Sequence, residues 1–97
     1  MKMRYKRDPE IEIRVMTIYH NLVCKRIKDG EIFLNRESSE RPQYREEVYV
    51  LFDDGTVSYG KYDAVSNEVA GNTWKEVTAW GSAVSIERIA SGNEECL

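Results

Sequence analysis

Residues able to do chemistry are sparse in this chain. His20 is its only histidine, and it stands four positions before Cys24, a spacing that puts both side chains on one face of a helix. Such a pair suits an imidazole-activated thiolate, or two of the four ligands of a zinc shared between two chains. The bland alternative is a partly exposed histidine beside a packed thiol, and no third ligand or base lies nearby to override it. Cys96 is the second cysteine, with no metal spacing and no C-x-x-C, so two free thiols are expected.

Other acid-bearing stretches reduce to structure. Asp53-Asp54-Gly55 lacks the alternating oxygen ligands and closing glutamate of a calcium loop and reads as a turn, with Asp54 in the left-handed position. Glu46-Glu47 and Glu94-Glu95 are adjacent pairs that diverge on a strand. The six glycines are scattered singly, without a phosphate-cradling loop. The sequence therefore predicts no catalytic residue, no metal and no cofactor, and a non-enzymatic role.

Ten aromatic residues remain to be placed, six of them tyrosines. Tyrosine and tryptophan bury area while keeping a polar tip satisfied, the composition of contact surfaces. Tyr44, Tyr49, Tyr62, Trp74 and Trp80 are the expected binding residues for a protein partner. A second candidate surface is the basic start, where Lys2, Arg4, Lys6 and Arg7 flank Tyr5, a stacking group that suits nucleic acid. Behind that arm the chain holds 17 acidic groups against 10 basic ones, a balance of −7, which opposes wrapping of a duplex. An acidic face competing with nucleic acid for a basic groove is a related alternative.

These residues need positioning elements. Asp8-Pro9-Glu10 is a helix start, Asp29-Gly30 a stop, and Ile11, Val15, Ile18, Leu22 and Ile27, widened by Tyr19 and Val23, mark an amphipathic helix over 9–28. The β-branched alternation from Ile11 to Tyr19 is a competing strand signal. Residues 31–34 read as a short strand, 35–47 as an exposed polar loop. V-Y-V-L-F-D-D-G-T-V-S-Y-G-K-Y, 48–62, reads as a hairpin with a two-residue turn at Asp54-Gly55 that sets Phe52 opposite Val57 and Val50 opposite Tyr59. Residues 63–72 read as a loop. Trp74, Glu76, Thr78 and Trp80 would then share one face of a strand, Gly81-Ser82 would turn, and a last strand would run over 84–90.

The expected fold is α+β: one N-terminal helix packed on a small, mainly antiparallel sheet of four or five strands, or a small curled barrel. Residues 1–90 would form a single domain with a basic arm over 1–7, and 91–97 a disordered tail. No run of 18 apolar residues spans a membrane, and the basic start lacks a signal peptide's apolar core, so a cytoplasmic protein is expected. A hairpin apolar on both faces predicts a homodimer through the face carrying Tyr49 and Tyr62, with strands 31–34 and 84–90 as open edges.

Val48, Val50, Asp54, Gly55, Val57, Gly60, Tyr62, Trp74, Val77, Thr78 and Trp80 form a pattern that resembles a family of short bacterial and bacteriophage domains of unknown function. The resemblance covers about residues 46–80. The family's leucine-proline turn before the hairpin and after the last tryptophan is missing here, where Trp80 leads into G-S-A-V. The resemblance implies an accessory protein of bacterial or phage origin, and supplies no catalytic residue.

Overall fold

The computed structural model describes residues 9–92, with side chains from Arg14 onward. Helix α1, Pro9–Lys28, spans the expected twenty residues. Lys25, Arg26 and Lys28 in its last turn complement the carbonyl end of the helix dipole. Gly30, at φ 83°, then stops it: the Gly30 N–H donates to Ile27 O and the Glu31 N–H to Arg26 O, the pair of bonds that closes a Schellman motif.

Six antiparallel strands follow: β1 Arg36–Glu37, β2 Glu47–Phe52, β3 Val57–Asp63, β4 Glu68–Val69, β5 Asn72–Thr73 and β6 Val77–Ser82. Their order is β1-β6-β2-β3-β4-β5. The sheet is open, ending in two strands of two residues each. This corrects the expected four or five strands and the curled barrel: the short β1, β4 and β5 lie within stretches polar enough to read as loops. Helix α2, Ala83–Ser91, replaces the predicted strand over 84–90. Ala83 and Ile86 of α2 are buried, with Ala90 packed against the same core, an i, i+3, i+7 spacing that outweighs the β-branched alternation of Val84 and Ile86.

The hairpin forms with its register moved by one residue. Tyr49 pairs with Tyr59, Val50 with Ser58 and Leu51 with Val57. The loop is Asp53-Asp54-Gly55, closed by Phe52 N–H to Thr56 O and Gly55 N–H to Phe52 O. Gly55, not Asp54, takes the positive φ, at 88°, while the Asp54 carboxylate accepts from the Thr56 N–H and hydroxyl. A one-residue shift exchanges faces, so Tyr59 joins Tyr49 instead of Val50.

Each sheet face is covered differently. On one, α1 lies over β3 and α2 over β2 and β6, enclosing Val23, Ile27, Ile32, Tyr49, Ala83 and Ile86. Close helix packing uses Gly81, where a Cβ would come within 3.0 Å of Ile86. The other face gathers Val48, Val50, Phe52, Tyr62, Val69, Trp74, Val77 and Trp80. A 3-10 turn at Trp74–Glu76 and the extra residue Thr78, which disrupts the β2–β6 register, bring Trp74, Val77 and Trp80 to this one face. Simple alternation had placed Val77 opposite the tryptophans.

The 35–47 segment closes over the second face. Its backbone accepts both indoles, Trp74 Nε1–H to Ser38 O at 3.0 Å and Trp80 Nε1–H to Glu40 O at 2.7 Å, and Pro42 is buried. Residues 31–34 form no strand, and the edges of the sheet are β1 and β5. Among the described residues no helix is long and apolar enough to cross a membrane.

Candidate docking face

Of the five predicted binding residues, Tyr49, Tyr62, Trp74 and Trp80 lie in the core. Their polar tips are satisfied inside the fold: Tyr49 OH donates to Glu87 Oε2 at 3.0 Å, Tyr62 OH to Asn67 Oδ1 at 2.8 Å, and the indoles to the loop carbonyls above. The face expected to form a dimer through Tyr49 and Tyr62 is therefore already occupied, by the helices on Tyr49 and by the 35–47 segment and neighbouring rings on Tyr62. Tyr44 alone is on the surface, at the rim of a 260 Å³ depression with Arg45, Lys61, Tyr62 and Asp63. Lys2, Arg4, Tyr5, Lys6 and Arg7 lie outside the described residues.

His20 and Cys24 do come together, on the face of α1 turned to β3. His20 stacks on Tyr59 with ring centroids 3.6 Å apart, and its buried Nε2 has no hydrogen-bond partner. Glu87 Oε2 stands 3.6 Å away, an ion pair only when the imidazole is protonated. Beside them is a cavity of 290 Å³ lined by Thr17, Asn21, Val57, Ser58 and Ala70 as well.

Burial here favours the protonated, neutral forms of one thiol and two phenols. Burial pushes the Cys24 thiol up to about 11, the reverse of an activated nucleophile. Burial, then the hydrogen bond to Glu87, raises the Tyr49 phenol; burial, then a hydrogen bond to Glu47, raises Tyr59. No group of three or more His, Cys, Asp or Glu among the described residues is arranged to hold a metal ion. The cluster ties α1 and α2 to the sheet.

Helix α1 carries an apolar line that the fold does not bury. Val23 and Ile27 are 2% and 8% exposed, yet every residue from Arg14 to Ile18 is exposed. Met16 shares the inward line of Tyr19, Val23 and Ile27 but is 48% exposed, because the helix has passed the edge of the body there. A second line, Val15, Ile18 and Leu22, is turned about 120° from the first at 3.6 residues per turn, and these residues are 57%, 59% and 57% exposed.

The two lines were merged in the sequence reading into one stripe. Their separation is visible in the spacing: Val15, Ile18 and Leu22 step by three and four, and the sequence continues that step back to Ile11. Next to Leu22 the helix borders a groove of 410 Å³ formed with Tyr19, Val23, Arg26, Glu31 and Ala90. Its walls are held by Arg26, which donates to Ala90 O at 3.0 Å and to Glu31 Oε1 at 3.2 Å. The other exposed aliphatic and phenylalanine residues, Phe33, Val65, Val84 and Ile89, are scattered over the stretch after α1, the turn after β3 and helix α2, and single ones of that kind are ordinary.

Comparison of the chain with protein-family models, with curated proteins and with solved structures finds no match.

Proposed function

We propose that this chain is a protein-binding module of accessory character that docks through the outward line of α1, in the bacterial or phage setting that the resemblance of residues 46–80 implies. The observation that carries this reading is the exposure of Val15, Ile18 and Leu22 on a helix whose opposite side already belongs to the core. Three large aliphatic groups in one line, bordered by an apolar groove, are the pattern of helix-mediated recognition, in which i, i+3 and i+7 anchors enter a complementary surface. Helices lacking such packing are marginal in water, and a β-branched run such as Ile11, Ile13, Val15, Thr17 and Ile18 lowers helix propensity further. A covering surface supplies the burial that this half of α1 lacks.

Site-specific photocrosslinking tests the proposal. Benzoylphenylalanine at position 18 should yield covalent protein adducts in the cell of origin, whereas the same group at position 65, more accessible still but off the helix, should not. Equal adduct formation at the two positions would remove the docking face.

A further inference from the structure

We infer that His20 and Glu87 form a proton-operated clamp between the two helices. With its imidazole charged, His20 closes on the Glu87 carboxylate and fixes α1 to α2; with the ring neutral, the pair stands open. The inference concerns the packed half of α1 and is independent of the docking reading above. Three observations support it.

The first is an unused atom. His20 Nε2 is buried and has no hydrogen-bond partner in the protein, and a buried polar atom left in that state costs free energy that most folds avoid. The group opposite it is a carboxylate oxygen, Glu87 Oε2, 3.6 Å away. That is too long for a hydrogen bond, and about 0.8 Å longer than a charge-assisted contact from N–H to carboxylate. In a neutral imidazole one nitrogen carries a hydrogen and the other does not; in the charged ring both donate. Protonation therefore gives Nε2 a donor hydrogen and a positive charge together, opposite an acceptor already in place.

The second is the balance of charge around the ring. From α2 comes Glu87, whose one ion-pair partner among the described residues is His20, and whose Oε2 also accepts from the Tyr49 hydroxyl of β2 at 3.0 Å. From β3 comes Tyr59, whose hydroxyl is bound to Glu47 of β2. Helix α1 itself sets Tyr19 beside the ring and Cys24 in the same cavity wall, its thiol held neutral by burial. Arg26, the cation that α1 brings near Tyr19, is engaged by Glu31 and by Ala90 O. The groups turned to His20 thus offer two carboxylates and no free cation. A proton on the imidazole converts the Glu87 charge into a neutral pair, which offsets the cost of charging a buried ring.

The third is the set of rings. His20 lies flat on Tyr59, with centroids 3.6 Å apart and planes 14° from parallel, while Tyr19 and Tyr49 stand at 5.9 and 6.1 Å. The face of a tyrosine ring is electron-rich and attracts a cation within about 6 Å of its centre. The stack on Tyr59 therefore holds a charged imidazole better than a neutral one.

Position gives the clamp its consequence. Tyr19 and His20 are the first residues of α1 after the exposed run from Arg14 to Ile18, the point where the helix meets the body. Closing the pair anchors that entry turn to α2, and opening it removes the tie. Histidine is the side chain whose charge changes between about pH 5 and 8, so the tie is present on the acid side of that range and lost as pH rises through it.

Because His20 is the only histidine, nitrogen NMR follows its ring in the unsubstituted chain. On acidification from about pH 8 to about pH 5.5, both ring nitrogens should become protonated in the folded chain, and the Nε2 hydrogen should take the shift of one bonded to a carboxylate. Amide protection over residues 19–24, corrected for the intrinsic exchange rate at each pH, should rise on the order of tenfold, as for one hydrogen bond to a charged group. Glu87→Gln keeps an acceptor for the Tyr49 hydroxyl and removes the charge; in it, and in His20→Gln, the rise should vanish with circular dichroism unchanged. A ring that stays neutral in the folded chain at the acid end overturns the clamp, as does a charged ring whose Nε2 hydrogen is unbonded. A rise of the same size in Glu87→Gln overturns it too, since the proton would then act elsewhere. The ring signals need no substitution, so they decide the matter even where a variant fails to fold.

Discussion

The two halves of α1 are built from similar residues and do opposite things. From Tyr19 to Lys28 the helix lies on β3, seals Val23 and Ile27 against Tyr49 and Ile86, and receives the polar ties of His20 and Arg26. From Arg14 to Ile18 every residue is exposed, Thr17 at the rim of the cavity beside β3, and Val15, Met16 and Ile18 face water. Composition does not separate them, since both halves are rich in branched aliphatics. The difference is the extent of the sheet below. A helix of twenty residues is about 30 Å long, and the body of this fold supports roughly the second half of that length. An apolar residue on a helix thus indicates a neighbour without saying whether the neighbour belongs to the same chain.

The comparison can be broken most severely in the packed half. Ile27→Ala should cost about 2–5 kcal/mol of folding stability, the range for deleting a buried branched side chain, measured by urea unfolding at concentrations low enough to exclude association. Ile18→Ala under the same conditions should stay within about 0.5 kcal/mol, as for a surface site. Equal losses at the two positions would mean that the outward line is part of the monomer's core.

A smaller effect concerns the tie between α2 and the sheet beneath the packed half. Tyr49→Phe removes the hydroxyl that donates to Glu87 and keeps the ring. The expected loss is about 1.5–3 kcal/mol, the worth of a hydrogen bond to a charged group, readable as a lower urea midpoint with unchanged slope.

The same residue enters a pH dependence. Burial raises the pKa of Cys24, Tyr49 and Tyr59, so the folded chain holds these protons more tightly than the unfolded one. Their contribution is complete below the unfolded values, 9.0 for the thiol and 10.0 for the phenols, and is lost as pH climbs through the folded ones; for Cys24 that window runs from 9.0 to about 11. On account of these three groups, melting temperature should fall above pH 9. Cys24→Ser should make the first part of that fall shallower.

How much of this was legible in the sequence follows from whether the signal was local. Helix α1 has its proline, its basic last turn and its glycine stop in sequence, and these decide for the helix over about 9–28 against the competing strand signal. The hairpin is local too, but its register depends on whether the loop takes two residues or three, a choice that also decides which tyrosine faces the helices. Helix α2 had signals in Ala83, Ile86 and Ala90 and in the stop at Gly92, whose φ is 81°, yet Val84 and Ile86 imitate a strand over the short span. Tyrosine and tryptophan read from sequence as contact residues because their composition suits a binding surface, and core packing, the alternative for each, is what four of the five do. The partners of their polar tips, Glu87 for Tyr49 and the carbonyls of Ser38 and Glu40 for the indoles, lie 36 to 40 positions away in sequence. The docking line was present in the helical spacing all along, but its separation from the inward line required knowing where the sheet ends.

Hydrogen exchange along α1, resolved by peptide, tests the central claim most directly. The account predicts that amides of residues 23–27 exchange slowly, held by the core. Amides of residues 14–18 should exchange much faster than these, since every side chain there is exposed. Protection at 14–18 equal to that at 23–27 in dilute solution would contradict it, because the outward line would then belong to the core of the single chain.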